Sequence, residues 1–532
     1  MNREEMIQRV RTRAVPWDII IIGGGAVGAG VAVDASSRGF ATLLVEREDF
    51  GKGTSSRSTK LVHGGVRYLE QGNISLVMEA LKERGLLLRN APHIVHDLPF
   101  VVPNYSWWEA PFYGIGMKVY DLLAGKYNFG KSRVLSLEET LDRLPTIQRE
   151  GLRGGVLYHD GQFDDTRLLM HLLATAVDHG ATVVNYCEAV DFVKDEQGFV
   201  DAVVVKDRES GTRHTAHAKV IVNATGIFTD ETRHLAQSDV EPMVTPSQGI
   251  HLVLDRSFLS GDSAIMVPRT SDGRVLFAIP WHDRTLVGTT DTPIDAPCYE
   301  PLPLEEEIEF VLSTASDYLS RPAARADVLS IYVGIRPLVS APGGGVGKTS
   351  ALSRGHTIHV DNSGLMSIVG GKWTTYRHMA EDCVDHAITL GSLADTPCVT
   401  ADLPIHGFHP DAEQFGALRV YGTDANSIQA LISDNLGLGE KLHPDLPYIA
   451  AEIVWSARHE MSRNLDDALA RRTRALLLNA RAAVAVAPQV ASLLAQELNQ
   501  DKRWIDAQVA SFTALARHYI LEPMAKPSGS PL

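Results

Sequence analysis

The sequence lacks the features that mark several large classes of protein. It has only four cysteines in 532 residues and no CxxC pair. A zinc site, a dithiol redox centre and a disulfide framework are therefore not indicated, and no metal is predicted. The net charge of −15 lacks the basic excess that phosphate backbones attract. This argues against nucleic acid as the main partner.

Long apolar runs are also absent. The longest uncharged apolar segment, 19–33, is shorter than the ~18 residues expected of a membrane-spanning helix, and glycines interrupt it. The first 13 residues mix acidic and basic side chains and lack the apolar stretch of a secretory signal. We therefore expect a cytoplasmic protein that is soluble or attached peripherally to the cytoplasmic face of a membrane.

The length of the chain exceeds what one compact core accommodates, so two or three domains are expected. Strand-like and helix-like segments are predicted up to about residue 395, although 100–145 reads as irregular and aromatic. Beyond residue 400 the composition shifts towards Ala, Leu and Arg, which predicts a separate, mostly helical domain over 400–522. The fold class is α/β, or α+β for the chain as a whole.

The first segment with a specific meaning is a βαβ unit. A β-branched run at 17–22 predicts a buried strand, a small-residue helix follows at 29–38, and a second strand covers 41–45. Between the first two lies Gly23-x-Gly25-x-x-Gly28, and Glu46 closes the second strand. These glycines permit a tight turn, close approach of a pyrophosphate and helix–strand packing, and the acid can bind a ribose. The unit predicts a dinucleotide site without deciding between FAD and NAD.

The sequence downstream of Glu46 carries a series of motifs in a characteristic order. They are GTSSRSTKLVHGGVRYLE at 53–70, NATG at 223–226, IPW at 279–281, GTTD at 288–291, GIRPL at 334–338 and GGKWTTYR at 370–377. This set resembles the FAD-dependent glycerol-3-phosphate dehydrogenases. Trp373 stands where the family motif commonly has leucine, which puts in doubt the shape of the site near the flavin's pyrimidine edge.

The resemblance implies an architecture like that of D-amino-acid oxidase. An FAD-dependent region over 17–395 would comprise a Rossmann-like FAD domain and an interleaved β-sheet substrate domain, followed by the helical domain. The implied ranges are 17–95, 150–240 and 330–395 for the FAD domain, and 96–149 and 241–329 for the substrate domain. The resemblance also implies noncovalent FAD, oxidation of glycerol 3-phosphate to dihydroxyacetone phosphate, membrane quinone as electron acceptor, and a homodimer.

Residues expected to bind the cofactor come from four parts of the chain. The first glycine-rich turn, the segment after Glu46, the NATG turn and the GGKWTTYR motif contribute most of them. The expected set is Gly23, Gly25, Ala26, Val27, Gly28, Glu46, Thr54, Ser55, Ser58, Lys60, Leu61, Val190, Ala224, Thr225, Gly226, Gly370, Gly371, Lys372, Trp373 and Thr374.

The substrate is a phosphate dianion with a secondary alcohol, so it needs fixed cations and a base. By resemblance, Arg67 and Tyr68 reach the phosphate. Arg336 suits the phosphate or the alkoxide that forms at the reacting carbon. Lys372 suits the phosphate or the N1–C2=O region of the reduced flavin.

Two histidines compete for the role of general base. His251 lies at a position like that of the active-site histidine of the family's substrate domain, and His63 lies beside the glycine pair of HGGVRY. A neutral imidazole is suited to this work near neutral pH, and we favour His251. An alkoxide stabilised by arginine without a histidine base is the remaining alternative.

Three rival functions stay open. They are a glycerol-3-phosphate oxidase that uses O₂ and releases H₂O₂, an amino-acid or sarcosine-type oxidase, and a non-catalytic flavin-binding protein. An aromatic, apolar patch between Trp107 and Leu123, flanked by Lys118 and Lys126, predicts either contact with a membrane interface or a structural cover for the substrate domain.

Overall fold

The computed structural model describes residues 1–66, 69, 72–270, 273–339 and 355–522. Up to residue 236, the elements in chain order are α1 (Arg3–Thr12), β1 (Trp17–Ile22), α2 (Ala26–Ser37), β2 (Thr42–Val45), β3 (Leu61–Val62), α3 (Ile74–Asn90), β4 (His96–Asn104), α4 (Glu109–Ala124), β5 (Arg133–Leu135), α5 (Leu137–Arg143), β6 (Gly154–Gln162), α6 (Asp165–Asp178), β7 (Thr182–Val184), β8 (Cys187–Lys194), β9 (Val200–Asp207), β10 (Arg213–Asn223) and α7 (Thr229–Ala236).

The rest of the described chain begins with strands and ends with helices. The elements are β11 (Val244–Asp255), β12 (Ala264–Val267), β13 (Leu276–Trp281), β14 (Arg284–Gly288), β15 (Thr292–Pro293), α8 (Glu305–Tyr318), β16 (Val328–Val339), β17 (His356–Val360), β18 (Met366–Gly370), α9 (Tyr376–Leu390), α10 (Ala425–Asp434), α11 (Ala450–His459), a π-helical turn (Asp467–Arg472), α12 (Ala475–Leu478), α13 (Ala480–Leu498) and α14 (Lys502–Ala516).

The first sheet carries the βαβ unit. Its strand order is β17-β18-β10-β1-β2-β7, and β9 and β8 extend from β10 as an antiparallel hairpin. Strands β18, β10, β1, β2 and β7 run parallel to one another, whereas β17 pairs with β18 in the antiparallel direction. The isoleucines of β1 at 19–21 are fully buried. A continuous apolar run suits this position because helices cover both faces of a parallel sheet.

The second sheet has the order β15-β11-β14-β13-β12-β4-β6-β3, with β16 on β11 and β5 on β6. It includes β6 and most of β16, whereas the expected domain ranges assign these residues to the FAD domain. The expected ranges differ from the observed sheets because the chain passes from one sheet to the other within a few residues. Amino-acid composition does not show where such a crossing occurs. The exact domain division stays a prediction.

The segment 100–145 is more regular than expected. It contains the end of β4, helix α4, strand β5 and helix α5. No helix was predicted here because α4 contains glycines and a proline, which are unusual inside helices. Pro111, however, lies in the first turn of the helix, where its missing N–H costs no intrahelical hydrogen bond. Met117, Tyr120 and Ala124 of this helix are buried, whereas Phe112, Ile115, Val119 and Leu122 are exposed.

The C-terminal helices pack against the second sheet. One apolar cluster joins Phe100, Tyr158 and Ile279 of the sheet to residues such as Leu476 and Val490 of α12 and α13. Another cluster lies against α5 and α8 and includes Ile250 and Leu252 of β11. The mixed α/β class and the helical C-terminal part are confirmed.

Ion pairs attach the C-terminal part to the first sheet. The carboxylate of Asp49 is completely buried and accepts hydrogen bonds from the guanidinium groups of Arg471 and Arg472. Burial alone would raise the pKa of Asp49, but Arg472 and Arg471 reverse this effect and hold it below its ordinary value. His406 forms a second link, with Nδ1 at 2.6 Å from Asp178 of α6 and Nε2 at 3.0 Å from Asp424.

The His406 link predicts a pH-dependent stability. Hydrogen bonds to Asp178 and Asp424 raise the pKa of His406 to about 10. A raised folded-state pKa contributes stability that is complete below the unfolded value and is lost as the pH rises through the folded value. We expect His406→Gln to lower the free energy of unfolding by about 1–3 kcal/mol at pH 6, and by much less near pH 10. Urea unfolding at several pH values measures this difference.

The matched control is His386→Gln, because His386 is an exposed histidine that also lies beside an aspartate on α9. It should change stability little at either pH. A His406 effect of equal size at pH 6 and pH 10 would contradict the electrostatic link.

Candidate active site

The cofactor site is built on the turn between β1 and α2. Gly23 has a φ of 113°, and a Cβ at this position would lie 2.6 Å from the carbonyl oxygen of Ala224. A Cβ on Gly28 would lie 1.9 Å from the carbonyl oxygen of Gly23. Only glycine fits these two close approaches, which bring the N-terminus of α2 next to the ends of β1 and β10.

Hydrogen bonds hold the acid and the following loop against this turn. Glu46 accepts from the backbone N–H groups of Gly24 (2.7 Å) and Glu48 (2.8 Å), and burial raises the pKa of its carboxyl group. Ser55 Oγ accepts from the N–H of Ala26 at 2.9 Å. The indole N–H of Trp373 donates to the carbonyl oxygen of Ser55 at 2.9 Å. Through Ser55, the loop after Glu46 is thus bound both to the start of α2 and to Trp373.

A cavity of about 590 Å³ lies over this framework. Most of the residues expected to bind the cofactor line it: Gly23, Gly25, Ala26, Val27, Glu46, Thr54, Ser55, Val190, Ala224, Thr225, Gly226, Gly370, Gly371, Lys372 and Trp373. Gly28 lies beneath the turn and acts through packing. Sequence reasoning missed one end of the cavity, where the guanidinium of Arg47 lies 4.5 Å from the ring of Phe228 and donates to Tyr299.

Lys60 is not among the residues that line the two large cavities, and the expectation that it binds the cofactor stays a prediction. Its side chain is completely buried, and Nζ donates to Asp165 (2.6 Å) and to the carbonyl oxygen of Ser56 (2.9 Å). Burial lowers the pKa of Lys60 to about 7. Ser58, Leu61 and Thr374 line a second cavity and not the first.

The second cavity has a volume of about 630 Å³ and shares part of its wall with the first. The shared residues are Thr54, Pro337, Gly370, Gly371, Lys372 and Trp373. His251, His63 and Arg336 also line the second cavity. The predicted catalytic side chains are therefore brought together at the end of the cofactor cavity.

His251 is held from two sides. Its Nε2 lies 2.9 Å from the hydroxyl of Thr59, and its ring stacks on Tyr332 with centroids 4.8 Å apart. Nδ1 is buried and has no hydrogen-bond partner among the described residues. Burial, followed by the positive charges of Lys60 and Arg336, places the pKa of His251 well below its ordinary value. The imidazole is therefore neutral at neutral pH and able to accept a proton.

The guanidinium of Arg336 is anchored at the rim of the same cavity. It donates to the carbonyl oxygen of Thr290 at 2.9 Å and lies 3.2 Å from Asp291. The backbone N–H of His63 donates to Thr374 Oγ1 at 3.2 Å. Arg67 and Tyr68, the expected phosphate ligands, lie outside the described residues.

Sequence reasoning missed Thr59, Tyr332 and Asp291. Thr59 stands inside the motif at 53–70, and Asp291 ends the GTTD motif, so position in a motif was an available signal for both. Tyr332 lies two residues before the first residue of the GIRPL motif, and strand pairing places it opposite His251.

Comparison with known proteins supports what this geometry indicates. Residues 18–377 match the model of the FAD-dependent oxidoreductase family, and residues 366–504 match that of the C-terminal domain of alpha-glycerophosphate oxidase. A mitochondrial glycerol-3-phosphate dehydrogenase of Arabidopsis thaliana is 41% identical over 92% of this chain and 84% of its own. The chain belongs to the FAD-dependent glycerol-3-phosphate dehydrogenase family. The human mitochondrial member is 38% identical over 97% of this chain and 74% of its own.

Solved structures agree with this family. The glycerol-3-phosphate dehydrogenase of Bacillus halodurans, complexed with FAD, superposes with a TM-score of 0.79 at 29% identity and covers 99% of both chains. The L-alpha-glycerophosphate oxidase of Mycoplasma pneumoniae has a TM-score of 0.55 at 17% identity, covers 72% of this chain and 97% of its own, and shares the fold.

The family's cofactor is FAD, and the residues present here fit it. The cradle at Gly23 and Gly25 is open to backbone approach, and a Cβ on Gly25 would lie 3.0 Å from Ser55 Oγ. The carboxylate of Glu46 suits a ribose, and the wall shared by the two cavities suits the ring system that must meet the substrate.

The close packing at Gly28 predicts that cofactor retention depends on this residue. We expect Gly28→Ala to lose most of its bound FAD and to lower the free energy of unfolding by at least about 1–3 kcal/mol, because the new methyl group overlaps the carbonyl oxygen of Gly23. The ratio of visible flavin absorbance to protein absorbance, together with urea unfolding, measures both effects.

Gly116→Ala is the matched control. A Cβ at Gly116 of α4 meets no atom within 4 Å, so this variant should keep wild-type flavin content. Full FAD occupancy in Gly28→Ala would mean that the turn can open without losing the cofactor.

Proposed function

We propose that this chain oxidises sn-glycerol 3-phosphate to dihydroxyacetone phosphate, with FAD as the acceptor of the hydride. One observation carries the proposal. A buried, neutral imidazole and two basic side chains, Arg336 and Lys372, line one cavity that opens onto the end of the cofactor cavity. The family's dehydrogenases are the most similar relatives reported above, and they support the same substrate.

Each side chain has a definite role in this proposal. His251 accepts the proton of the substrate's secondary hydroxyl as the carbon loses its hydride. Arg336, anchored through the carbonyl oxygen of Thr290, stabilises the negative charge that develops on that oxygen. Lys372 binds the phosphate or the flavin edge, and Arg67 and Tyr68 are proposed phosphate ligands by resemblance. His63 is the alternative base.

The central test is anaerobic reduction of the bound flavin. We expect glycerol 3-phosphate to bleach the visible absorption band of the purified holoenzyme, whereas glycerol and amino acids leave it unchanged. Glycerol lacks the phosphate that the cations bind, and amino acids lack both the phosphate and the reacting alcohol. Bleaching by an amino acid would instead favour the amino-acid oxidase function, and a flavin that no polyol phosphate reduces would favour a non-catalytic protein.

For the electron acceptor we propose a membrane quinone. The lining of the second cavity includes the apolar and aromatic side chains of Phe100, Tyr158, Met266 and Phe277, which suit an apolar ring better than water. The alternative acceptor is O₂, as in the alpha-glycerophosphate oxidases. A quinone analogue should reoxidise the reduced enzyme much faster than air does, with little H₂O₂ released. Stoichiometric H₂O₂ under air would favour the oxidase.

We also propose peripheral contact with a membrane through α4. No described helix is long and apolar enough to cross a bilayer. Helix α4 and the residues before it nevertheless expose a contiguous set of large apolar side chains: Trp107, Trp108, Phe112, Ile115, Val119 and Leu122. Lys118 lies among them and is suited to anionic headgroups. A cytoplasmic-face location and a homodimer stay predictions.

Liposome flotation tests this contact. Trp108→Glu and Phe112→Glu should each lower the fraction of protein that floats with anionic vesicles, because a carboxylate must be desolvated in the interface. Leu436→Glu is the matched control, since Leu436 is 80% exposed on the C-terminal part of the chain. Equal flotation of all four proteins would contradict contact through α4.

A further inference from the structure

A buried carboxylate lies behind the segment that holds His251. Asp165 is the first residue of α6, and its side chain is completely inaccessible to solvent. One carboxylate oxygen accepts from Ser58 N (3.1 Å), Ser58 Oγ (2.7 Å) and Lys60 Nζ (2.6 Å). The other accepts from Thr166 N (2.9 Å) and Arg474 (3.1 Å). Asp165 thus fixes both residues that flank Thr59 along the chain.

The backbone at this point needs such support. Lys60 has a φ of 64°. This is the left-handed backbone region, which residues other than glycine adopt only where the surrounding structure holds them there. Lys60 N also donates to Ser58 Oγ at 3.0 Å, and the hydroxyl of Tyr332 donates to the carbonyl oxygen of Ser58 at 2.9 Å. With Ser58 and Lys60 fixed against the protein interior, the side chain of Thr59 lies in the wall of the second cavity.

Residues 58–60 therefore support the imidazole of His251 both at one ring nitrogen and, through Tyr332, at one face of the ring. Thr59 binds one ring nitrogen, and Tyr332, anchored on Ser58, supports the face of the ring. Since Nδ1 has no hydrogen-bond partner among the described residues, the contact between Nε2 and the hydroxyl of Thr59 is what sets the direction of the ring. A base must meet the substrate hydroxyl within hydrogen-bond reach, so rotation of the ring would be costly.

We propose that Thr59 and Asp165 are positioning residues for the oxidation: Asp165 fixes the backbone of residues 58–60, and Thr59 thereby holds His251 in the orientation that accepts the proton. This inference rests on the proposed function and on His251 as the base. It assigns a role to two residues outside the predicted set of site residues.

The first test compares Thr59→Val, which keeps the shape and removes the hydroxyl, with Thr59→Ser, which restores the hydroxyl. In stopped-flow reduction of the holoenzyme by glycerol 3-phosphate, we expect Thr59→Val to lower the limiting rate about 10- to 100-fold, part of the 10²–10⁴ that a positioned base contributes. The half-saturating concentration should change little. Thr59→Ser should recover most of the rate.

Thr285→Val is the matched control for this pair. Thr285 of β14 is buried, and its hydroxyl donates to the backbone carbonyl of Asp255 at the end of β11, away from the cavity. It should reduce its flavin at the wild-type rate. A structural defect alone would lower flavin content or stability without the selective loss of limiting rate.

The second test asks whether Asp165 acts through Thr59. Asp165→Asn should slow flavin reduction, whereas Asp164→Asn, which keeps a helix-capping side chain at the adjacent position, should not. In the Thr59→Val background, Asp165→Asn should cost far less than in the wild type, because the contact it supports is already gone. If Asp165→Asn fails to retain FAD, the comparison of Thr59→Val with Thr59→Ser tests the positioning role on its own.

The outcomes separate this inference from the proposed function. Wild-type flavin that glycerol 3-phosphate does not reduce would overturn both. Normal reduction of wild type together with an equally fast Thr59→Val would overturn the positioning role alone. Multiplicative effects of Thr59→Val and Asp165→Asn on the rate would also overturn the positioning role, because they would mean that the two residues act independently.

Discussion

The carboxylates of Asp49 and Asp165 are buried beneath the loop that carries the cofactor contacts, and a buried charge is tolerated only when it is paired. Arg471 and Arg472 neutralise the first, and Arg474 shares the second with Lys60. All three arginines come from the C-terminal part of the chain. The helical domain is therefore not an appendage, since it supplies the counter-charges without which the loop could not lie where it does.

The position of the site follows from the same arrangement. Two sheets meet at the loop from 49 to 60, one contributing the nucleotide turn and the other contributing His251 and Arg336 from β11 and β16. Burial, followed by the positive charges of Lys60 and Arg336, keeps the ring of His251 uncharged, and the buried Lys60 contributes without lining the cavity. The protein interior and a charge outside the cavity thus help to set the protonation state of a group that lines it.

Short sequence patterns predicted those features of the fold that depend on residues close together in the chain. The βαβ unit was readable because Gly23, Gly28 and Glu46 act within one short stretch of chain, and the structure places them as expected. The buried ion pair of Lys60 was not predicted because its partner, Asp165, is 105 residues away and no spacing joins them. Thr59 went unnoticed for a related reason: its partner His251 is 192 residues away along the chain. The roles of the site residues stay predictions.

The order of strands in the first sheet has a consequence for synthesis of the protein. Its central strand β1 begins at residue 17, whereas β18, two strands away in the same sheet, ends at residue 370. A nascent chain emerges from the ribosome N-terminus first, so the apolar face of β1 waits for most of translation before its sheet is complete. The glycine-rich turn cannot meet Gly370 and Gly371 until then. Such a delay exposes unpaired strand edges, and we expect early fragments of this chain to depend on chaperones.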